Sequence, residues 1–178
     1  MTLPNLITLA RLFAVPGILY AIAIGQYELS FVIFVAAGVS DALDGFIAKR
    51  FDLATTLGAW LDPIADKALL VSVFVALGFQ GHIPPWLVIV VVSRDLLIVG
   101  AILLARLMDV EIPVKPIFVS KINTSLQIVL MAVVLWTLGY GASYPMLVLL
   151  LSVGVVVTTV VSGVQYLVRW LEAVGTGE

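Results

Sequence analysis

A chain of 178 residues that is 62% hydrophobic and 11% charged, with a mean hydropathy of +1.21, has more apolar surface than a water-soluble domain of that size can bury. Soluble domains are usually about 25% charged. A net charge of −2 with nine scattered Lys and Arg argues against a nucleic-acid partner, and the lack of cysteine excludes disulfides, thiolate catalysis and thiolate metal sites.

The composition predicts an all-α polytopic membrane protein. Gly, Pro and short polar clusters divide the chain into six apolar segments, near 3–24, 28–50, 57–80, 85–107, 118–139 and 144–170. Each is long enough to cross a hydrocarbon core about 30 Å thick at a rise of about 1.5 Å per residue. The first segment lacks a basic leader and holds Arg11 within its apolar stretch, so it reads as a retained helix. The absence of an Arg- and Ser-rich transit sequence favours a bacterial chain. On this helix Asn5, Thr8 and Arg11 share one face. They can reach a ligand or satisfy backbone groups between helices.

The second segment ends in Asp41-Ala42-Leu43-Asp44-Gly45, and the third opens with Gly58, Asp62 and Asp66. Ser93-Arg94-Asp95 interrupts the fourth, and the fifth opens on the run Val114–Thr124, which includes Lys115 and Lys121. The sixth is the most uniformly apolar, with a tail from Leu171 to Glu178 expected to fray. The connections are short, no internal repeat is evident, and a single domain over 1–178 is expected. Lys49 and Arg50 lie between the second and third segments, Arg106, Lys115 and Lys121 flank the fourth connection, and Arg169 lies near the carboxyl end. The other connections carry no Lys or Arg. This asymmetry places both termini and the Asp41–Asp66 segment on the cytoplasmic side.

An ionised carboxylate at the centre of a membrane helix costs about 2.5–3.5 kcal/mol, so four need a cationic or aqueous counterpart. Asp41 and Asp44 are three residues apart, and Asp62 and Asp66 are four apart. Each pair therefore shares a helix face, and the short connection makes the two helices antiparallel neighbours. Carboxylates that converge must be protonated, paired or bridged by cations. Oxygen ligands without His or Cys suit Mg²⁺ or Mn²⁺. Two such ions about 3.5–4 Å apart form the usual clamp for displacement at phosphorus. Gly45, Ala48 and Gly58 leave room for a phosphate, a nucleotide or a facing backbone, and Lys49 and Arg50 offer charge to a diphosphate. Taken singly, a terminal aspartate is usually a solvated cap and a membrane glycine a packing residue. Their joint spacing across two helices favours the metal centre.

The run Asp41-x-x-Asp44-Gly45-x-x-Ala48-Lys49-x8-Gly58-x3-Asp62-x3-Asp66 resembles the signature of the CDP-alcohol phosphatidyltransferases over 26 residues. Lys49 replaces an Arg of that pattern, keeping the charge without the bidentate fork, and Arg50 can substitute for it. The resemblance implies six membrane helices, a homodimer and a site open to the cytoplasmic leaflet. It also implies that Asp41, Asp44, Asp62 and Asp66 hold two Mg²⁺ or Mn²⁺ ions, with Asp66 also the general base. Gly45, Ala48, Lys49 and Gly58 would line the cytidine diphosphate pocket.

Arg94 and Lys121 can bind an acceptor phosphate. Alternatively, Arg94 pairs with Asp95 or a signature aspartate while Lys121 extends to the interface. Ser93-Arg94-Asp95 and Lys115–Thr124 look closer to the CMP-forming cardiolipin synthases than to the phosphatidylglycerophosphate synthases. The latter typically show Arg-Glu with a further basic residue near the position of Ile102. The expected substrates are thus CDP-diacylglycerol and phosphatidylglycerol, with glycerol 3-phosphate the alternative acceptor. An ion or proton transporter is the non-enzyme alternative, since buried carboxylates also mark ion paths. The clustering of these carboxylates at one end argues against it.

Overall fold

The computed structural model describes the backbone of residues 3–51, 56–107 and 118–175, and the side chains of 10–41, 65, 67–100 and 118–171. That backbone forms α1 (Leu3–Ala23), α2 (Tyr27–Phe51), α3 (Thr56–Phe79), α4 (Pro85–Leu107), α5 (Phe118–Tyr140) and α6 (Pro145–Gly175). Five helices end within one residue of the expected segment limits; α6 does not. The expected frayed end at Leu171 is instead helical as far as Gly175. Leu171, Glu172 and Ala173 are good helix formers, and the first glycine after them is Gly175. Among the described residues, Phe118–Tyr140 and Pro145–Leu171 are long and apolar enough to cross a membrane, and shorter apolar helical stretches occupy Ala10–Ala23 and Lys67–Phe79.

Glycines in the left-handed region terminate α1 and α3. Gly25 has φ 75° and Gly81 has φ 77°. In each case the next amide reaches back five residues, Gln26 to the Ala21 carbonyl at 2.8 Å and His82 to the Leu77 carbonyl at 3.0 Å. The glycine amide itself reaches back three, to Ile22 at 3.0 Å and Gly78 at 3.1 Å. These paired bonds satisfy carbonyls that the helix end leaves open, in a conformation a side chain would strain.

The helices fall into two compact units, each with its own core. The first comprises α1, α2, α3 and the second half of α5, from Met131. Here α1 packs against both α2 and α3. Ile18, Ile22, Phe34, Val73, Phe74, Leu77 and Leu135 are buried in it. A polar chain ties three helix ends together. Tyr27 Oη donates to Gln80 Oε1 at 2.8 Å, and Gln80 Nε2 donates to the Ile22 carbonyl at 2.8 Å. With the tyrosine proton so directed, His82 Nε2 donates to Tyr27 Oη at 2.8 Å. Phe31 of α2 meets Trp136 and Tyr140 of α5 edge-on, with centroids 5.2 and 6.0 Å apart.

The α2–α5 approach depends on Gly139. A Cβ there would lie 2.8 Å from the Glu28 backbone nitrogen and 3.0 Å from its Cα. Backbone cannot yield as a flexible side chain does, so Gly139→Ala is expected to cost about 1–3 kcal/mol. Thermal unfolding of the detergent-purified protein checks this. A midpoint unchanged from the wild type would mean that the two backbones part freely.

The second unit comprises α4, the first half of α5 through Leu130, and α6. In it α4 packs against α6. Its interior combines Leu87, Val91, Leu130 and Val155 with a polar set that includes Arg94, Asp95, Asn123, Gln127, Thr159 and Ser162, all buried.

Candidate functional site

In the first unit, Asp41-x-x-Asp44 lies in the last three turns of α2, and Asp62-x3-Asp66 in the first three turns of α3. The two pairs therefore stand at chain-adjacent helix ends, each with the helical spacing that puts its members on one face. The side chains of Asp44, Asp62 and Asp66 lie outside the described residues. So do those of Asn5, Thr8, Ala48, Lys49 and Arg50, and the surroundings of Gly45 and Gly58. Among the described residues no three acidic or His side chains gather into a metal cluster.

Asp41 is described, and its partner is Arg11. Arg11 Nη2 approaches Asp41 Oδ1 to 2.6 Å, with the arginine side chain 2% exposed and the aspartate side chain 43% exposed. A guanidinium in the interior of a helix bundle requires an anion, because its desolvation is otherwise uncompensated. The first helix thus delivers a fixed positive charge to the first carboxylate of the signature. Asp41 keeps an open side. A carboxylate has two oxygens and about four lone-pair positions, so one contact at Oδ1 leaves donor capacity for a hard divalent cation. The donor set of the signature, four carboxylates without nitrogen or sulfur, fits Mg²⁺ or Mn²⁺.

In the second unit, Arg94 is the centre of a buried polar cluster. Its Nη1 donates to Asp95 Oδ1 at 2.8 Å, Nη2 to Ser120 Oγ at 2.7 Å and Nε to Ser162 Oγ at 3.1 Å. The guanidinium also stands 5.7 Å from the centre of the Tyr166 ring. Of the two readings open in the sequence, the pairing of Arg94 with Asp95 is present. Arg94 binds α4 to both α5 and α6. One turn further along α5, Asn123 Oδ1 accepts from Thr158 and Thr159 Oγ1, each at 2.9 Å. Lys121, beside Ser120, is exposed. Arg94 reaches Ser120, the residue that precedes Lys121.

Sequence reasoning missed two features here. For Arg11 the sequence leaves ligand contact and backbone satisfaction both open, and the observed partner is the anion that a cation in an apolar span calls for. The polar face of α6, formed by Thr158, Thr159, Ser162 and Tyr166, was also overlooked. Its signal is the helical spacing of hydroxyls within an otherwise aliphatic run.

The family model described as CDP-alcohol phosphatidyltransferase matches residues 1–168. A Schizosaccharomyces pombe cardiolipin synthase (CMP-forming) / mitochondrial hydrolase fusion protein is 34% identical over 182 residues, covering 93% of this chain and 30% of that protein. Human cardiolipin synthase (CMP-forming) is 32% identical over 147 residues, covering 74% of this chain and 49% of that protein. A probable phosphatidylglycerophosphate synthase of Mycobacterium tuberculosis is 31% identical over 180 residues, covering 97% of this chain and 83% of that protein. The chain thus spans about half or less of the length of these two cardiolipin synthases. With the signature in place on α2 and α3 and the match running almost end to end, the chain belongs to the CDP-alcohol phosphatidyltransferase family.

Proposed function

We propose that this chain is a single membrane domain that makes cardiolipin, transferring a phosphatidyl group from CDP-diacylglycerol to phosphatidylglycerol and releasing CMP. The observation that carries this reading is the position of the four aspartates, two near the end of α2 and two near the start of α3, in a chain of this family. All six helices cross the bilayer, the protein is a homodimer, and the site faces the cytoplasm of a bacterial cell. Its surroundings are membrane lipid, and both lipid substrates enter sideways from the leaflet.

The free glycerol hydroxyl of phosphatidylglycerol attacks the lipid-side phosphorus. A new P–O bond forms, the diphosphate bridge breaks, and CMP leaves with the bridging oxygen. Asp66 accepts the hydroxyl proton, which requires hydrogen-bond reach of the attacking oxygen. Asp41, Asp44, Asp62 and Asp66 would hold two Mg²⁺ or Mn²⁺ ions, which when bound neutralise charge developing on the diphosphate. Gly45, Ala48 and Gly58 admit the nucleotide closely, and Lys49 meets its phosphates. Arg94 and Lys121 are assigned to the acceptor, with Arg94 also held by Asp95, Ser120 and Ser162.

A second reading, glycerol 3-phosphate as acceptor, draws on the Mycobacterium tuberculosis relative, which this chain matches over most of both lengths. A side-by-side assay of the purified protein separates the two. With Mg²⁺ or Mn²⁺ and CDP-diacylglycerol, phosphatidylglycerol is expected to release CMP at least about tenfold faster than glycerol 3-phosphate, a difference of about 1.4 kcal/mol in transition-state binding. Faster incorporation of labelled glycerol 3-phosphate would replace the first reading with the second. An ion transporter would release no CMP with either acceptor.

A further inference from the structure

We infer that Arg11 is a positioning residue for the acidic centre, a built-in counter-cation that holds Asp41 while divalent ions are absent and tempers their binding when they arrive. The inference rests on the metal reading of the signature and adds a residue outside that pattern.

The pair is asymmetric. The Arg11 side chain is 2% exposed, whereas that of Asp41 is 43% exposed, with Nη2 and Oδ1 2.6 Å apart. A mobile surface salt bridge would expose both ends. Here the cation is enclosed by the bundle and the anion is open on one side, so the guanidinium is the fixed member and the carboxylate the shared one. A buried arginine cannot withdraw to water. Oδ1 is thereby held while the Asp41 side chain stays partly open.

Two consequences oppose each other. Without divalent ions, four carboxylates within 26 residues repel one another, and Arg11 offsets part of that repulsion at Asp41. An ion held by Asp41 would meet the same guanidinium as a like charge, which would weaken its binding. Freeing one aspartate rotamer in a variant costs little beside removal of a full charge. Loss of Arg11 therefore destabilises the metal-free protein and tightens metal binding.

The test measures the thermal midpoint of the full-length, detergent-purified protein in EDTA and in saturating Mn²⁺, together with a Mn²⁺ titration followed by electron paramagnetic resonance. Arg11→Gln is expected to lower the midpoint in EDTA and to recover much of that loss in Mn²⁺. Its Mn²⁺ dissociation constant should tighten about tenfold, enlarging the metal-dependent stabilisation accordingly. An equal fall in EDTA and in Mn²⁺ with unchanged Mn²⁺ affinity would mean a purely structural arginine and overturns the inference. Arg11→Lys keeps the charge and should retain the wild-type Mn²⁺ increment; a changed increment overturns the charge argument. That arm decides the matter if Arg11→Gln does not fold in either condition. Absence of any Mn²⁺ effect on the wild type is a different result, one that sinks the metal reading itself.

Discussion

Asp66→Asn is expected to abolish detectable CMP release while the protein still purifies as a folded species. The amide is nearly the same size as the carboxylate but cannot take a proton from the attacking hydroxyl. Loss of a general base alone costs roughly 10²–10⁴ in rate. Asp66 is also assigned to the metals, so the combined loss should sit at or beyond the upper end of that range. The rate is read as CMP formed from CDP-diacylglycerol and phosphatidylglycerol, alongside thermal unfolding with and without Mn²⁺ to separate chemistry from folding. The backbone at Asp66 is helical, in the third turn of α3, so the substitution does not touch a turn or a cap. Asp66→Glu keeps the base but displaces it by one methylene and should recover part of the activity. If Asp66→Asn releases CMP at the wild-type rate, Asp66 is not the base.

The second large effect concerns stability. Arg94→Met is expected to cost about 3–5 kcal/mol, because it removes the cation facing the buried carboxylate of Asp95 and the contacts to Ser120 and Ser162. For a chain of this length, about 2–4 °C of thermal midpoint accompanies each kcal/mol, so the drop should exceed roughly 6 °C. The double variant with Asp95→Leu replaces both charges with apolar side chains and should recover most of the loss. That recovery would identify the pair as an electrostatic unit. A double variant as unstable as Arg94→Met alone would place the cost elsewhere, in the contacts with Ser120, Ser162 and the Tyr166 ring. Acceptor turnover in Arg94→Lys adds a separate readout. It keeps the charge and loses the fork, so an acceptor role predicts a raised KM for phosphatidylglycerol beyond any change in midpoint.

Much of the architecture is legible in the chain because its punctuation is strong. Gly25 and Gly81 close α1 and α3 in a conformation that glycine adopts without strain, and Pro85 and Pro145 stand at the first position of α4 and α6. Helix limits in such a sequence follow from local chemistry. The end of α6 does not, because no breaker precedes Gly175 to mark it. Side-chain partners are harder still to read. Nothing within five residues of Arg11 indicates Asp41, which reaches it from a different helix, and nothing near Arg94 indicates Ser162, 68 positions away. Such pairs are set by which helix faces meet, a property of packing that hydropathy does not encode. The spacing of the signature aspartates is a local property of two helices, so it is visible from residue order alone.

The knot joining His82, Tyr27, Gln80 and the Ile22 carbonyl grips α1, α2 and α3 where α2 begins and where α1 and α3 finish. With that end fastened, any relative tilt grows toward Asp41, where the contact with Arg11 is the restraint. Asp41 stands fourteen residues along α2 from Tyr27, about 21 Å at 1.5 Å per residue. A tilt of about 5° about the fastened end would therefore carry Asp41 sideways by about 2 Å, comparable to the span of a metal–oxygen bond. Lengthening or loosening that distant clasp would shift where Asp41 stands without altering a residue beside it.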